Sequence, residues 1–270
     1  MRTKKQYMLG FIGCGHMGMA IARGCVQNEY LERWQVIVYD HNKEQMKTAN
    51  GERFALAENE KEVAEKAHIV LLAVKPDQAE AALEAIKDCH PECVLSIVTG
   101  LSISHMREIL GEDIAIVRAM PNTPLQIGHG ATALCRSENC AADEYDFIFQ
   151  MFSSMGVART IPEDKINATI AIHGSVPAYV YYFVQCIVND AVKRGVDEDS
   201  ARALLVETII GSGYLMKEKS TTPLDHLISE VATKGGTTIE AINELKKQNL
   251  EKVLHEADEK CIQRAEELSK

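Results

Sequence analysis

The sequence lacks an apolar run long enough to cross a lipid bilayer. Its longest nearly apolar stretch, Val176 to Val188, is interrupted by Gln185 and is shorter than the roughly 20 residues that a spanning helix needs. The opening residues MRTKKQYMLGFIG also lack the pattern of a secretory leader and run directly into a predicted strand. We therefore expect a cytoplasmic protein with no membrane partner.

Clusters of lysine and arginine are also lacking, and the formal net charge is −10. Nucleic acids favour basic surfaces, because binding releases the counterions that surround their phosphates. Nucleic acid is therefore not an expected partner. A small anionic ligand would have to be held by local backbone amides or by a few placed side chains.

The eight cysteines lack the spacing of a zinc site. Cys89 lies near Cys93, and Cys135 lies near Cys140, but neither pair is accompanied by a matched second pair or by His-x3-His. A reducing cytoplasm also disfavours disulfides. We expect no bound metal and interpret the cysteines as small core hydrophobes.

Residues 1–162 alternate short β-branched runs with helical segments. This alternation predicts an α/β fold, specifically a doubly wound Rossmann-type domain with a parallel sheet and helices on both faces. The predicted strands are Met8–Ile12, Gln35–Tyr39, Ile69–Val74, Val94–Val98, Ile114–Ala119, Ala131–Cys135 and Val157–Ile161.

Residues 163–270 read almost entirely as helix. Turn-forming residues interrupt the pattern at Arg194–Asp197, Thr221–Pro223 and Lys234–Gly236. In the first predicted helix one apolar stripe runs from Ile166 to Ile187, and aromatic residues such as Tyr182 leave little polar face. Because such a helix needs burial on all sides, we predict an all-α C-terminal dimerisation domain that forms a homodimer or a larger homo-oligomer.

A glycine-rich motif of the form G-x-G-x-x-G follows the first predicted strand. Gly13 permits the tight turn, Gly15 lets the backbone approach a pyrophosphate, and Gly18 lets helix and strand pack closely. The pyrophosphate would bind free amides at the helix N-terminus, where His16 and Met17 lie. The motif predicts a dinucleotide site that includes all five of these residues.

Asp40 ends the second predicted strand, at about the spacing where an acidic residue receives the ribose hydroxyls of a dinucleotide. Its charge would repel a 2′-phosphate, and only Lys43 is close enough in sequence to compensate. The pattern therefore favours NADH over NADPH. The alternative for Asp40 is an ordinary turn residue that precedes a helix.

Three further segments fall at predicted strand ends or helix starts, where ligands bind in such folds. They are Ala73-Val74-Lys75-Pro76, R-A-M-P-N-T-P from Arg118, and G-G-T-T from Gly235. Together with H-G-S-V-P-A-Y from His173, they resemble the pyrroline-5-carboxylate reductase family over essentially the whole chain. The resemblance implies an oxidoreductase of proline biosynthesis, which reduces the C=N bond of 1-pyrroline-5-carboxylate to L-proline with NADH or NADPH.

The residues around Gly235 independently indicate an anion site. Thr237 and Glu240 have the spacing of a capping box, so a helix is predicted to begin at the glycine pair Gly235 and Gly236. Free amides and the positive end of the helix favour a carboxylate there. The alternative is a plain helix cap.

The resemblance also assigns individual contacts. The substrate contacts that it implies are Thr233, Gly235, Gly236, Thr237, Met120 and Pro121. The further cofactor contacts are Asn59, Ala73, Val74, Lys75, Pro76 and Asn122. The hydroxyl of Thr238 would hydrogen-bond the ring nitrogen as the catalytic group. No strong general base is expected, because a protonated imine is already electrophilic.

Two positions depart from the family pattern, with Val176 in place of a usual glycine and Lys234 in place of a usual proline. These departures support one alternative, a non-enzymatic paralogue that senses dinucleotide or proline. A second alternative is a β-hydroxyacid-type dehydrogenase, whose alcohol substrate would need a proton-abstracting lysine. Lys165 and Lys193 lie in the helical half, but neither belongs to a motif of that kind.

Overall fold

The β-branched runs of the first half form an eight-stranded sheet in the computed structural model, which describes residues 5–268. The outermost residues of the two predicted domains, 1–4 and 269–270, lie outside the described residues. The strands are β1 (Tyr7–Ile12), β2 (Val36–Tyr39), β3 (Ala55–Leu56), β4 (Ala67–Leu72), β5 (Cys93–Ser96), β6 (Ala115–Pro121), β7 (Gly130–Arg136) and β8 (Gly156–Thr160).

Helices alternate with these strands and then continue alone. Those of the first half are α1 (His16–Gln27), α2 (Lys43–Gly51), α3 (Glu60–Lys66), α4 (Pro76–Ile86), α5 (Ile103–Leu110) and α6 (Ala142–Ser153). Those of the second half are α7 (Glu163–Ile166), α8 (Val176–Lys193), α9 (Glu198–Glu218), α10 (Leu224–Val231), α11 (Thr237–Lys247) and α12 (Leu250–Glu267).

The sheet has the strand order β3-β2-β1-β4-β5-β6-β7-β8 and carries a hydrophobic core on each face. Along β1, Phe11 belongs to one core and the next residue, Ile12, belongs to the other. This alternation explains why the central strands are apolar at successive positions. The order reverses between β1 and β4, and the reversal opens a crevice beyond the carboxyl ends of these strands.

All the predicted strands occur, with ends shifted by a few residues. The two-residue strand β3 was missed, because it is too short to carry an alternating pattern. The prediction of a parallel sheet was wrong at β7, which pairs antiparallel with β6. Only residues 122–129 join these strands, whereas a parallel pair needs a crossover of about a dozen residues or more. After α6 the chain returns to a parallel pairing in β8.

The chain divides into two compact units, one comprising Met1–Pro177 with Cys261–Lys270 and the other comprising Ala178–Lys260. The first unit therefore includes α7 as well as the sheet. The domain boundary predicted at Pro162 was placed where the sequence pattern becomes entirely helical, and it stays a prediction. The three predicted helix breaks all occur, but two further breaks were missed, one between α7 and α8 and one between α11 and α12, where Asn249 has φ 56°.

The first predicted helix of the second half is not continuous. After α7 a π-helical turn spans Ile170–Gly174, in which the amide of Ser175 donates to the carbonyl of Ile170 at 2.8 Å. Regular α-helix resumes only at α8, whose second residue is Pro177. Proline has no amide hydrogen and its ring clashes with the preceding turn of an α-helix. The apolar stripe from Ile166 to Ile187 is therefore interrupted.

The helices of the second unit leave large apolar side chains exposed on the single chain. Tyr182 is 69% exposed on α8, and Leu204 is 71% exposed on α9. Many large apolar side chains exposed on neighbouring stretches of chain are typical of surfaces that bind another protein. Within residues 5–268, the helices include none with the length and apolar character needed to cross a membrane.

A buried arginine joins the sheet to the following helices. The side chain of Arg118 in β6 is 6% exposed, and its guanidinium donates to Glu163 Oε1 at 2.9 Å and to Asn167 Oδ1 at 3.2 Å. Glu163 Oε1 also accepts from the amide of Ile103 at 2.8 Å. One carboxylate thus fixes β6, α5 and α7 together.

Replacing Glu163 by alanine is expected to lower the free energy of unfolding by about 1–3 kcal/mol, because the buried Arg118 loses a charged partner. Urea unfolding followed by circular dichroism measures this loss. Glu256→Ala provides the control, since Glu256 pairs with Lys252 on an exposed helix surface and should contribute little. Equal unfolding midpoints for the two variants would contradict the expectation.

Candidate active site

Two glycines, Gly13 in the loop after β1 and Gly18 in the first turn of α1, are required by the protein itself. Gly13 has φ +102°, and a Cβ there would lie 2.4 Å from the carbonyl oxygen of Ala73. A Cβ on Gly18 would lie 2.3 Å from the carbonyl oxygen of Gly13. The loop can therefore close against the end of β4 only with glycine at both positions.

Gly15 differs, because no atom of residues 5–268 lies within 4 Å of a Cβ added there. It is the N-cap of α1, with extended backbone, and it leaves the first amides of the helix without intrahelical acceptors. His16 is the exposed first residue of α1, and Met17 follows it. The open space and the free amides fit a pyrophosphate.

Asp40 binds the glycine loop directly. Its Oδ2 atom accepts from the amide of Cys14 at 2.6 Å, and its Oδ1 atom accepts from the amide of Asn42 at 2.8 Å. The interpretation of Asp40 as an ordinary turn residue explains the bond to Asn42 but not the bond to Cys14. Burial, and secondarily the charge of Asp40, raise the pKa of the Cys14 thiol to about 12. This thiol is therefore protonated at neutral pH.

A second basic side chain near Asp40, that of His41, was not predicted from the sequence. His41 Nδ1 lies 3.6 Å from Asp40 Oδ1, and the imidazole is 67% exposed. Lys43, the cation considered from sequence, is the exposed first residue of α2. A ribose or phosphate group at this strand end would therefore meet one carboxylate and two basic side chains.

A cavity of about 280 Å³ lies beyond the carboxyl ends of β4, β5 and β6. The predicted site residues among its lining are Met17, Ala73, Val74, Met120 and Pro121. The remaining lining residues, Ile97, Thr99, Ile170, Gly174 and Ser175, were not assigned from sequence. Ile97 and Thr99 could have been found, because they follow β5 at the same edge of the sheet. The π-helical turn carried no comparable signal.

Several other predicted cofactor residues do not line this cavity. Asn59 is exposed and caps α3, with its Oδ1 atom accepting from the amide of Glu62 at 2.9 Å. Lys75 is exposed at the N-cap of α4, and Pro76 is the first residue of that helix. Asn122 is buried, and its side chain bonds to the backbone of other residues. Their cofactor contacts remain predictions.

The predicted substrate loop belongs to the second unit. Gly236 is the N-cap of α11, and its amide donates to the carbonyl of Thr233 at 3.0 Å. The capping-box prediction was wrong, because Thr237 is the first helical residue and no side chain caps the helix. The turn from Thr233 to Gly236, with Gly235 at φ +78°, moves the cap one residue earlier. The first amides of α11 still lack intrahelical acceptors.

Metal-binding clusters of three or more histidine, cysteine or acidic side chains are not found within residues 5–268. All eight cysteines are free thiols. The buried ones, Cys14, Cys25, Cys93, Cys135 and Cys140, agree with the interpretation as core residues, whereas Cys186 is exposed.

A doubly wound sheet with an open glycine loop beside a cavity defines a Rossmann-type dinucleotide-dependent oxidoreductase. Residues 8–100 match the family described as NADP oxidoreductase coenzyme F420-dependent, which places the cofactor in the nicotinamide class. Residues 163–268 match the family described as pyrroline-5-carboxylate reductase dimerisation.

Full-length relatives narrow this class. The pyrroline-5-carboxylate reductase of Aquifex aeolicus is 33% identical, covering 96% of this chain and 97% of that protein. The pyrroline-5-carboxylate reductase of Escherichia coli is 32% identical, and the match covers 97% of this chain and 98% of that protein. The crystal structure of Plasmodium falciparum pyrroline carboxylate reductase with NADP bound has a TM-score of 0.90 and 28% identity, covering 99% of this chain and 100% of that one. The chain belongs to the pyrroline-5-carboxylate reductase family.

Gly15→Ala is expected to leave the fold intact and to weaken dinucleotide binding, because its Cβ would occupy the space in which the pyrophosphate approaches the backbone. Calorimetric titration with NADH and NADPH measures the affinity. Gly51→Ala, at the end of α2, is the matched control, since a Cβ there also meets no atom within 4 Å. Equal affinities for both variants and the wild type would exclude this role for Gly15.

Proposed function

We propose that this protein reduces the C=N bond of 1-pyrroline-5-carboxylate to L-proline, with the hydride supplied by a nicotinamide dinucleotide, as a step of proline biosynthesis. The observation that carries the proposal is the cavity of about 280 Å³ beside the open glycine loop, in a chain of this family. The protein has to bind and orient two reactants, while the cofactor performs the redox step.

The first unit supplies the cofactor contacts in this proposal. The amides after Gly15 hold the pyrophosphate, and Ala73 and Val74 form the wall beside it. Met120 and Pro121 are the end of β6, and their buried side chains would exclude water from the nicotinamide. Asn59, Lys75 and Pro76 would contact the ribose or adenosine part from neighbouring helix starts. Asn122 would act on the nicotinamide through the backbone groups that its side chain holds.

The second unit supplies the carboxylate contacts. Amides of Gly235, Gly236 and Thr237 and the hydroxyl of Thr233 would bind the substrate carboxylate. Support comes from the N-terminus of α11, whose free amides and partial positive charge favour an anion. Thr238, the second helical residue, would hydrogen-bond the ring nitrogen with its hydroxyl.

The preferred coenzyme in this proposal is NADH. The carboxylate of Asp40 is 9% exposed, and it holds a fixed negative charge at the end of β2, where a 2′-phosphate would lie. His41 and Lys43 are exposed and can turn away from this position, whereas two backbone amides hold Asp40 in place. The fixed charge of Asp40 therefore favours NADH over NADPH.

The exposed apolar side chains on α8 and α9 support assembly into a homodimer or a larger homo-oligomer through the helical domain. A cytoplasmic location is part of the proposal. The small imino acid is the proposed substrate. Neither nucleic acid nor a membrane is part of the proposal.

With racemic 1-pyrroline-5-carboxylate supplied, the protein is expected to oxidise the reduced dinucleotide, and to oxidise NADH faster than NADPH. Spectrophotometry at saturating substrate measures both rates. No oxidation despite intact dinucleotide binding would favour the sensing paralogue over the reductase. A large preference for NADPH would contradict the role given to Asp40.

Thr238→Ala is expected to lower turnover by about ten- to a thousandfold, the range for loss of one polar group aimed at the reacting atoms. Thr238→Ser should retain much of the turnover, because it keeps the hydroxyl. Thr48→Ala is the matched control, since Thr48 lies on exposed α2 and its hydroxyl bonds only to its own helix. Wild-type turnover in Thr238→Ala would exclude this catalytic role.

A further inference from the structure

Two hydrogen bonds connect the end of β6 and the residue after it, Asn122, with the π-helical turn Ile170–Gly174, and a third connects Asn122 with β7. His173 Nε2 lies 2.7 Å from the carbonyl oxygen of Met120. Asn122 Nδ2 donates to the carbonyl oxygen of His173 at 3.0 Å, and Asn122 Oδ1 accepts from the amide of Ala131 at 2.8 Å. We call the two side chains and these bonds the Asn122–His173 clasp.

The chemistry of the acceptors fixes the orientation of both side chains in the clasp. Because a carbonyl oxygen can only accept, His173 Nε2 must carry a hydrogen, which the neutral ring provides in one of its tautomers. The two ends of the Asn122 amide are likewise distinguished, since one faces a carbonyl and the other faces an amide hydrogen. Asn122 is 8% exposed. A buried polar side chain that is hydrogen-bonded at both ends of its amide favours a single arrangement of the neighbouring backbone.

The clasp joins two walls of the cavity without lining it. Met120 and Pro121 form one wall, and Ile170, Gly174 and Ser175 form another. His173 lies between Ile170 and Gly174 in the chain, and Asn122 directly follows Pro121. A π-helical turn is an uncommon backbone form that often marks functional sites. In this protein the π-helical turn is held beside the end of β6 by the hydrogen bonds of the His173 and Asn122 side chains.

We infer that Asn122 and His173 are positioning residues, which hold the two cavity walls at the separation needed to align the nicotinamide for hydride transfer. They act through the backbone carbonyls of Met120 and His173 and do not themselves contact the reacting atoms. The pyrophosphate site around Gly15 lies outside the clasp, so dinucleotide affinity should depend little on it. This inference rests on the proposed reductase function.

Two substitutions break the clasp in different places. His173→Phe keeps a ring of similar size but removes the Nε2 donor, and Asn122→Asp replaces the amide donor with an oxygen facing the carbonyl of His173. His173→Gln should rescue the first, because its side-chain amide can donate from a similar position.

Asn139→Asp is the matched control for Asn122→Asp, because the Asn139 amide donates to the carbonyl of Ile114 before β6 at the opposite end of the strand. It makes the same chemical change to a bridging asparagine that lies outside the cavity lining. A purely structural effect should therefore appear in both variants, measured as the thermal midpoint.

With the full-length protein, His173→Phe and Asn122→Asp are expected to lower kcat by about ten- to a hundredfold at saturating NADH and substrate, the size expected for a misplaced reactant. The dissociation constant for NADH, measured by calorimetry, should stay near that of the wild type. His173→Gln and Asn139→Asp should keep kcat close to wild type. Unchanged kcat in the two clasp variants, or a loss explained entirely by weaker NADH binding, would overturn the inference.

The fluorescence of bound NADH gives a test that needs no turnover, because its emission depends on the surroundings of the nicotinamide. At saturating NADH the emission should differ from wild type in His173→Phe and Asn122→Asp but not in Asn139→Asp. If the wild-type protein did not oxidise NADH, the proposed reductase function would be wrong. The emission of NADH bound to the variants would still show whether Asn122 and His173 position the nicotinamide. Identical emission in all four proteins would exclude it.

Discussion

The close approach of the loop after β1 to the end of β4 is the constraint on which the rest of the site depends. A side chain at Gly13 would collide with the carbonyl oxygen of Ala73, so the two strand ends meet only when glycine is present. This contact sets where α1 begins, and therefore where its free amides point. It also places Ala73 and Val74 in the cavity wall. The open start of α1 and the position of the cavity wall are consequences of one backbone contact.

The segment R-A-M-P-N-T-P has a structural explanation that its sequence alone did not provide. Successive side chains in a strand alternate between the two faces of a sheet. The alternate residues Arg118, Met120 and Asn122 all contact the segment from Glu163 to His173, through the guanidinium, the Met120 carbonyl and sulfur, and the Asn122 amide. The motif thus attaches the α7 region to the sheet along the length of one strand.

Short sequence patterns predicted the elements whose structure depends mainly on interactions between residues close together in the chain. The glycine loop, the central strands and the start of α11 near Gly236 were all accessible, because turn chemistry and apolar periodicity fix them. The direction of β7 depends on the length of its connection, which the strand pattern does not express. The π-helical turn and the position of the α11 cap depend on tertiary bonds and on a turn that begins at Thr233. The Asn122–His173 clasp joins residues far apart in sequence, so no window of sequence contains it.

The bond between Asp40 and the amide of Cys14 limits how coenzyme preference can evolve or be engineered in this protein. In many dinucleotide folds the acidic residue after the second strand can be exchanged to admit a phosphorylated ribose. Here the same carboxylate also anchors the glycine loop after β1, so its removal would disturb the proposed binding site of either coenzyme. Selection for a different coenzyme would instead act on the neighbouring exposed positions, His41 and Lys43, where substitutions leave the loop anchored. The proposed recognition of the ribose and the support of the loop are thus joined in a single side chain, and under this proposal the two cannot change independently.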